Sequence, residues 1–166
     1  MKRSDRKLRV GVIGCGHWGA HYVRLFSSLQ GSDLAAIVDV NGAKLKQVER
    51  SHQGVKLFRD YREMLAGGVC DAVVVATNAA SHYGIIKDAL LAGTDVLAEK
   101  PLTLNAREAL ELANLARKLK RILMVAHTFL FNPGVHQVKK YISSGAVGDV
   151  YYLKAQRTHL GLIRED

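Results

Sequence analysis

A short apolar run, Leu8 to Ile13, breaks into Gly14-Cys15-Gly16-His17-Trp18-Gly19, and a helical apolar period starts directly behind it. No other feature of the chain restricts its fold as much. Leu8 to Ile13 has the length and side chains of a buried strand, while Tyr22, Leu25, Phe26 and Leu29 recur at the spacing of one helix face. The glycines therefore mark a strand-to-helix turn. Gly14 permits a tight reversal, Gly16 lets the backbone lie against a ligand with no side chain between, and Gly19 allows close packing of helix on strand. A Gly-x-Gly-x-x-Gly string alone arises readily by chance in a chain with 15 glycines, so its meaning depends on its surroundings.

Those surroundings alternate. Asp33 to Val40 reads as a second strand, Ala43 to Ser51 as a helix and Val55 to Phe58 as a third strand. Asp60 and Glu63 form a capping-box pair for a helix over Tyr61 to Ala66. Asp71 to Ala76 contains Val73-Val74-Val75, the unbroken apolar run of a central parallel strand covered on both faces. A helix from about His82 to Ala92 ends at Gly93, and Thr94 to Ala98 is the fifth strand. Asn105 and Glu108 pair as a second capping box, and Ala109, Leu112, Ala113, Ala116 and Leu119 supply an inward stripe as far as Lys120. Ile122 to Ala126 is the sixth strand. Strands and helices in strict alternation predict right-handed crossovers and an α/β, doubly wound parallel sheet over residues 8–126, behind a basic tail at 1–7.

After residue 126 the pattern changes. Asn132-Pro133 begins a helix through about Ser144, Gly145 to Gly148 make a turn, and Asp149 to Arg157 alternates like a strand with one exposed face. Roughly 40 residues bury too little surface to fold alone. Residues 127–166 therefore either pack on the first domain or open a larger α+β domain that is incomplete here.

At 166 residues, with nearly half of them hydrophobic and only two prolines, the chain has enough apolar material for one domain plus a remnant. No apolar run approaches the roughly 18 residues of a membrane span, and the reading is a cytoplasmic protein. Cys15 and Cys70 fit neither a disulfide framework nor a metal cluster and read as reduced thiols. The net charge of +9 is spread over helices (Lys44, Lys46, Arg117, Lys118, Lys120, Arg121) and gathered only at Lys2, Arg3, Arg6, Lys7 and Arg9. A solvated surface and tail account for it most simply; among partners, with no base-reading module or aromatic interleaving present, an anionic small-molecule substrate is favoured over nucleic acid or a membrane surface.

The glycine loop gains its meaning from Asp39, at the end of the next strand. In this arrangement the helix N-terminus receives a pyrophosphate, and the carboxylate accepts hydrogen bonds from an adenosine ribose with both hydroxyls free. Its charge repels a 2′-phosphate, and Val40, Asn41 and Gly42 bring no arginine to offset that, so NAD is favoured over NADP. The competing reading is a tight turn that binds nothing. Cys15 and His17 are open to a reactive-thiol or metal-ligand role, but a small residue and a first-turn polar residue account for them more simply.

Glu99-Lys100-Pro101 follows the fifth strand, at the carboxyl edge where such sheets bind ligands. Partial desolvation near a nicotinamide would lower the affinity of Lys100 for its proton, fitting it to exchange one with a substrate hydroxyl. Pro101 fixes the turn, and Glu99 is placed to orient the lysine or to meet the nicotinamide ribose. Thr77-Asn78 holds the corresponding edge after the fourth strand. His82 opens the next helix, as a cofactor neighbour or simply as a polar helix-start residue. His127 follows the sixth strand and is either turned to the same cleft or hydrogen-bonded in place; His136 and His159 have no assignable partners.

Five segments in order, GVIGCGHWG, Asp39, ATNAASH, AEKPLTLN and AHTFLFNPGV, resemble the glucose-fructose oxidoreductase / inositol dehydrogenase family (Gfo/Idh/MocA) across essentially the whole chain. The resemblance implies a Rossmann-type domain and NAD(P)-dependent oxidation or reduction of a secondary alcohol on a sugar or cyclitol, with Lys100 next to the substrate. The stretch from HTFLFNP to YYLKAQRTHLGLIRED is most similar to members acting on nucleotide sugars or related sugars. Two features depart from the family pattern: Thr77-Asn78-Ala79 replaces a Thr-Pro-Asn, and the second domain with its Asp-x-x-x-His motif is not in the sequence. A non-catalytic NAD(H)-binding module is thus a second functional class. A homo-oligomer formed through residues 127–166, whose last strand would have an unpaired edge, is a third.

Overall fold

The computed structural model describes residues 6–156 and 158. Strands β1 (Leu8–Ile13), β2 (Ser32–Val38), β3 (Lys56–Phe58), β4 (Ala72–Val75), β5 (Asp95–Ala98) and β6 (Leu123–Val125) form one parallel sheet. Their order is β3-β2-β1-β4-β5-β6, so the chain direction across the sheet reverses between β1 and β4. The strands also finish level. Ile13 pairs with Val38 and Val75, Val38 with Phe58, and Val75 with Ala98, which pairs with Val125. Whatever follows each strand therefore emerges along one edge, the edge at which doubly wound sheets bind ligands.

Helices α1 (His17–Ser28), α2 (Gly42–Ser51), α3 (Tyr61–Ala66), α4 (Ala79–Leu91) and α5 (Ala106–Leu119) alternate with these strands. Side chains on the two faces of the sheet feed two cores. Val73 and Val75 pack with Met64, Ile86, Leu90 and Leu112 from α3, α4 and α5, whereas Val74 packs with Val10, Val12, Val23 and Leu45 on the side of α1 and α2. The alternation along β4, with all three valines at most 1% exposed, is why the run contains no polar residue.

Most element ends shift by at most a single residue from the sequence reading; two boundaries and one helix face differ more. β2 stops at Val38, and Val40 is 80% exposed. α4 starts at Ala79, because Asn78 caps it by accepting from Ser81 N at 3.1 Å; His82 is therefore its fourth residue and not its first. On α1 the inward residues are Gly19 and Val23, with Tyr22 and Phe26 packed beside them, and Leu25 and Leu29 face outward. Gly19 sets this rotation, since its contact with the glycine loop turns that face inward.

The capping residues at Asp60 and Asn105 do start helices, but each accepts from the second helical residue, Arg62 N and Arg107 N, and not from the third. Their side chains, with one carbon between Cα and the carboxyl or amide group, close the shorter loop. At the opposite edge of the sheet Asp71 gathers Arg9 N (2.9 Å), Arg9 Nη2 (2.8 Å) and Arg6 Nη2 (3.0 Å). The cations Arg6 and Arg9 are thus tied to the fold and not part of a free tail. These bonds hold the Asp71 carboxyl well below the usual carboxylate range.

The chain divides after Ala126 into two compact units. Within the second lie a 3-10 turn, Thr128–Phe131, and α6 (Pro133–Ser143), capped by Asn132 through Gly134 N and Val135 N. Val135, Val138, Tyr141 and Ile142 are exposed on α6. The expected strand is not formed at 149–156, and Arg157 lies outside the described residues. A lone extended segment has no neighbour to complete its backbone hydrogen bonds. The unpaired strand edge on which self-association was expected is accordingly absent from 149–156.

Candidate functional site

The three glycines of the loop differ in what surrounds them. Gly14 has φ +95°, and a Cβ there would stand 2.8 Å from Ala76 O. A Cβ on Gly19 would collide with Gly14 O, so helix and turn touch backbone to backbone. Gly16 meets nothing within 4 Å. Among the described residues the other five α-helices are capped by the side chain of Asn41, Asp60, Asn78, Asn105 or Asn132. α1 starts from Gly16 with no side-chain cap. Its first N–H groups have no side-chain cap and Gly16 has open space beside it, the arrangement that takes an anion.

Asp39 flanks this opening. It is 8% exposed, and its Oδ2 accepts from Cys15 N at 2.7 Å while Oδ1 accepts from Asn41 N at 2.8 Å. The carboxylate thus fixes the glycine loop against the end of β2, and each oxygen retains capacity for a ligand hydroxyl. The Cys15 thiol is buried, and burial together with the Asp39 charge pushes it up to about 11. That removes the reactive-thiol option for Cys15. His17 and Trp18 are exposed on the first turn, ring edge to ring face at 5.5 Å. No group of three or more His, Cys, Asp or Glu suited to a metal occurs among the described residues.

On the other side of β1, Glu99 follows β5 and is 8% exposed. Its Oε1 accepts from Tyr22 OH at 2.7 Å, and its Oε2 from Lys100 N at 3.2 Å. Burial and this carboxylate push the Tyr22 phenol above its ordinary value. Lys100 is exposed at the edge after β5. The peptide bond between Lys100 and Pro101 is cis. Thr77 Oγ1 accepts from Ser81 Oγ at 2.8 Å, and Asn78 spends its side-chain oxygen on the α4 cap. His82, expected near the cofactor, is 1% exposed, and its ring nitrogens face Pro101 O and Thr77 O. Both ring nitrogens are thus turned to backbone carbonyls. His127 is exposed at the start of the 3-10 turn, His136 lies on α6, and His159 falls outside the described residues.

Sequence reading missed two participants. Tyr22 was assigned only to a buried helix face, although a buried phenol needs a hydrogen-bond partner, and an acidic residue at the sheet edge was the place to look. Arg59 follows β3 and donates to Val40 O at 3.0 Å, with its guanidinium about 4 Å from where a Gly42 Cβ would stand. It brings a cation next to residues 40–42, which have none of their own, because β2 and β3 end level.

The residues present fit a dinucleotide: an open glycine cradle, an uncapped helix and a carboxylate share one edge. Comparison with known proteins agrees. The family model described as an oxidoreductase family with NAD-binding Rossmann fold, Gfo/Idh/MocA, matches residues 8–127. Inositol 2-dehydrogenase of Corynebacterium glutamicum is 30% identical over 152 residues, covering 90% of this chain and 45% of that protein. D-apiose dehydrogenase of Paraburkholderia graminis is 24% identical, over 89% of this chain and 39% of its own. Among solved structures, the WlbA dehydrogenase of Bordetella pertussis in complex with NADH and UDP-GlcNAcA superposes with a TM-score of 0.84 at 28% identity, over 90% of this chain and 43% of that one. The scyllo-inositol dehydrogenase of Lactobacillus casei with NAD(H) and scyllo-inositol has the same fold, with a TM-score of 0.79 at 23% identity over 87% and 43% of the two chains. The chain spans less than half the length of these relatives. No described helix is long and apolar enough to cross a membrane. The chain belongs to the Gfo/Idh/MocA oxidoreductase family, whose NAD-binding Rossmann fold it carries over residues 8–127.

Proposed function

We propose that this chain holds NAD(H) along the carboxyl edge of its sheet and presents Lys100 to a secondary alcohol of a cyclitol, sugar or nucleotide sugar, as the cofactor-side portion of a dehydrogenase. The observation that carries this reading is the glycine loop: α1 starts without a side-chain cap, before open space at Gly16 and beside Asp39. The loop from Gly14 through Cys15, Gly16, His17 and Trp18 to Gly19 would hold the pyrophosphate, and Asp39 the adenosine ribose, favouring NAD over NADP. Thr77, Asn78, Glu99, Lys100 and Pro101 would border the nicotinamide half. The bound cofactor would supply the hydride acceptor for the carbinol carbon. Lys100 Nζ, free at the edge, would exchange the hydroxyl proton, and Glu99 would hold the lysine backbone in place.

The relatives support the substrate class, since one is an inositol dehydrogenase and another was solved with NADH and UDP-GlcNAcA. A net charge of +9 suits an anionic nucleotide sugar. Residues 127–166 would open the second domain of such an enzyme, with the exposed apolar side chains of α6 packing there or against another copy. The second reading is a module that binds NAD(H) without turnover.

The test has two arms. The chain is titrated with NADH by fluorescence; then a version extended by a relative's second half is assayed with NAD and either myo-inositol or UDP-linked sugars. Reduction of NAD is expected, with Lys100→Ala lowering turnover by about 10²–10⁴-fold, the span of a general acid-base group, at little change in NADH affinity. Equal loss of turnover and affinity contradicts the role of Lys100. Binding without turnover in both versions selects the module.

A further inference from the structure

We propose that His82 is a positioning residue for the segment that carries Lys100, acting through an Nδ1–H donated to the Pro101 carbonyl; the inference rests on the reading of Lys100 as the proton carrier. His82 Nδ1 lies 2.9 Å from Pro101 O and Nε2 lies 3.2 Å from Thr77 O. Both partners are carbonyl oxygens, which only accept, so each contact requires an N–H on the ring. A singly protonated imidazole has one. We place that proton on Nδ1, at the shorter of the two contacts; the Nε2–H tautomer would lack the bond to Pro101.

The element behind the ring is rigid. His82 is 1% exposed on α4, and the same helix sinks Ile85, Ile86, Ala89 and Leu90 into the core. A hydrogen bond from such a support transmits the position of the core to the loop after β5. From the other flank α1 sends Tyr22 OH to Glu99 Oε1 at 2.7 Å, and Glu99 Oε2 takes Lys100 N at 3.2 Å. The backbone on either side of Lys100 is therefore held, from α1 at residue 99 and from α4 at residue 101, while the Lys100 side chain remains exposed. A fixed backbone beneath a free amine limits the volume the amine can sample, which is what proton transfer to a bound alcohol needs. Packing alone does not call for an imidazole here. A leucine would fill similar space but would turn both carbonyls against an apolar wall.

The experiment uses the 166-residue chain with ¹⁵N-labelled histidine. The expected spectrum shows a slowly exchanging proton on His82 Nδ1; an unprotonated Nδ1 overturns the proposal. Hydrogen exchange then tests the positioning itself. His82→Gln and Tyr22→Phe are each expected to speed exchange of the amides at 99–103 about tenfold, the consequence of losing one hydrogen bond, with Val73 to Val75 unchanged. Unchanged exchange at 99–103 overturns the proposal, and so does a rise of the same size at Val73 to Val75, which marks general destabilisation. Should His82→Gln fail to fold, the wild-type ring spectrum and Tyr22→Phe still decide. NADH titration of the wild type reads the cofactor assignment separately: no binding there removes the NAD reading and leaves the His82 result standing.

Discussion

A methyl group added at Gly16 and one added at Gly19 should do opposite things, although only two residues separate them. The Gly16 backbone, φ −70° and ψ −163°, is open to any L-residue, and nothing lies within 4 Å of a Cβ built there. Gly16→Ala should therefore leave stability unchanged or raise it by up to about 1 kcal/mol, through reduced freedom of the unfolded chain. The same methyl occupies the space assigned to the pyrophosphate. Forcing a methyl into a filled site costs about 1–3 kcal/mol, a loss of roughly 5- to 150-fold in NADH affinity. At Gly19 the Cβ collides with the Gly14 carbonyl oxygen, a backbone atom that cannot rotate aside. Gly19→Ala should therefore lose about 1–3 kcal/mol or more of stability, lowering Tm by roughly 2–4 °C per kcal/mol for a domain of this size. Thermal unfolding followed by far-UV circular dichroism reads the one quantity and NADH fluorescence titration the other. A Gly16→Ala chain that binds NADH as the wild type does would refute the placement of the cofactor. A Gly19→Ala chain with unchanged Tm would refute the close contact between helix and turn.

Three further outcomes are expected. Asp71 is held below its unfolded value of about 3.9 by Arg9 and Arg6, so its contribution is complete above about pH 5 and is lost as the pH falls through 4 toward the folded value. Asp71→Asn should cost about 1–2 kcal/mol at pH 7, discounted because both arginines are partly exposed, and should flatten the acid limb of urea-denaturation stability; an unchanged limb contradicts this. With Arg59 bonded to Val40 O, one residue beyond Asp39, NADPH should bind more weakly than NADH but measurably, and Arg59→Ala should weaken NADPH about tenfold more than NADH; equal losses would place Arg59 elsewhere. Burial pushes the Cys15 and Cys70 thiols up to about 11, so both should react with Ellman's reagent at pH 7.5 at least about a hundredfold more slowly than free cysteine, whose thiol sits near 8.5; labelling at the free rate contradicts their burial.

Features set by local pattern could be read from the chain. The glycine loop, the capping residues Asp60, Asn105 and Asn132, and the triple valine of β4 each state a backbone requirement in a few adjacent residues, and the element order followed. Contacts between distant residues could not be read. Tyr22 meets Glu99 across 77 positions, and Arg59 reaches Val40 only because β2 and β3 end together. His82 read as a helix-start residue because the cap at Asn78 was not recognised, and moving the start back to Ala79 buries it. The face of α1 was misjudged because Gly19 contributes no hydrophobicity to a periodicity count yet decides which side packs inward. The alternation at 149–157 is a strand pattern, but pattern alone supplies no neighbouring strand.

Equilibrium titration of the unmodified chain with NADH, followed by competition with ADP-ribose, tests the central claim most directly. The glycine loop, the uncapped start of α1 and Asp39 together predict saturable binding at one site, displacement by ADP-ribose and marked weakening in Gly16→Ala. Absence of a fluorescence change and of ADP-ribose competition up to about 1 mM, the weak end of ordinary cofactor affinities, would contradict it.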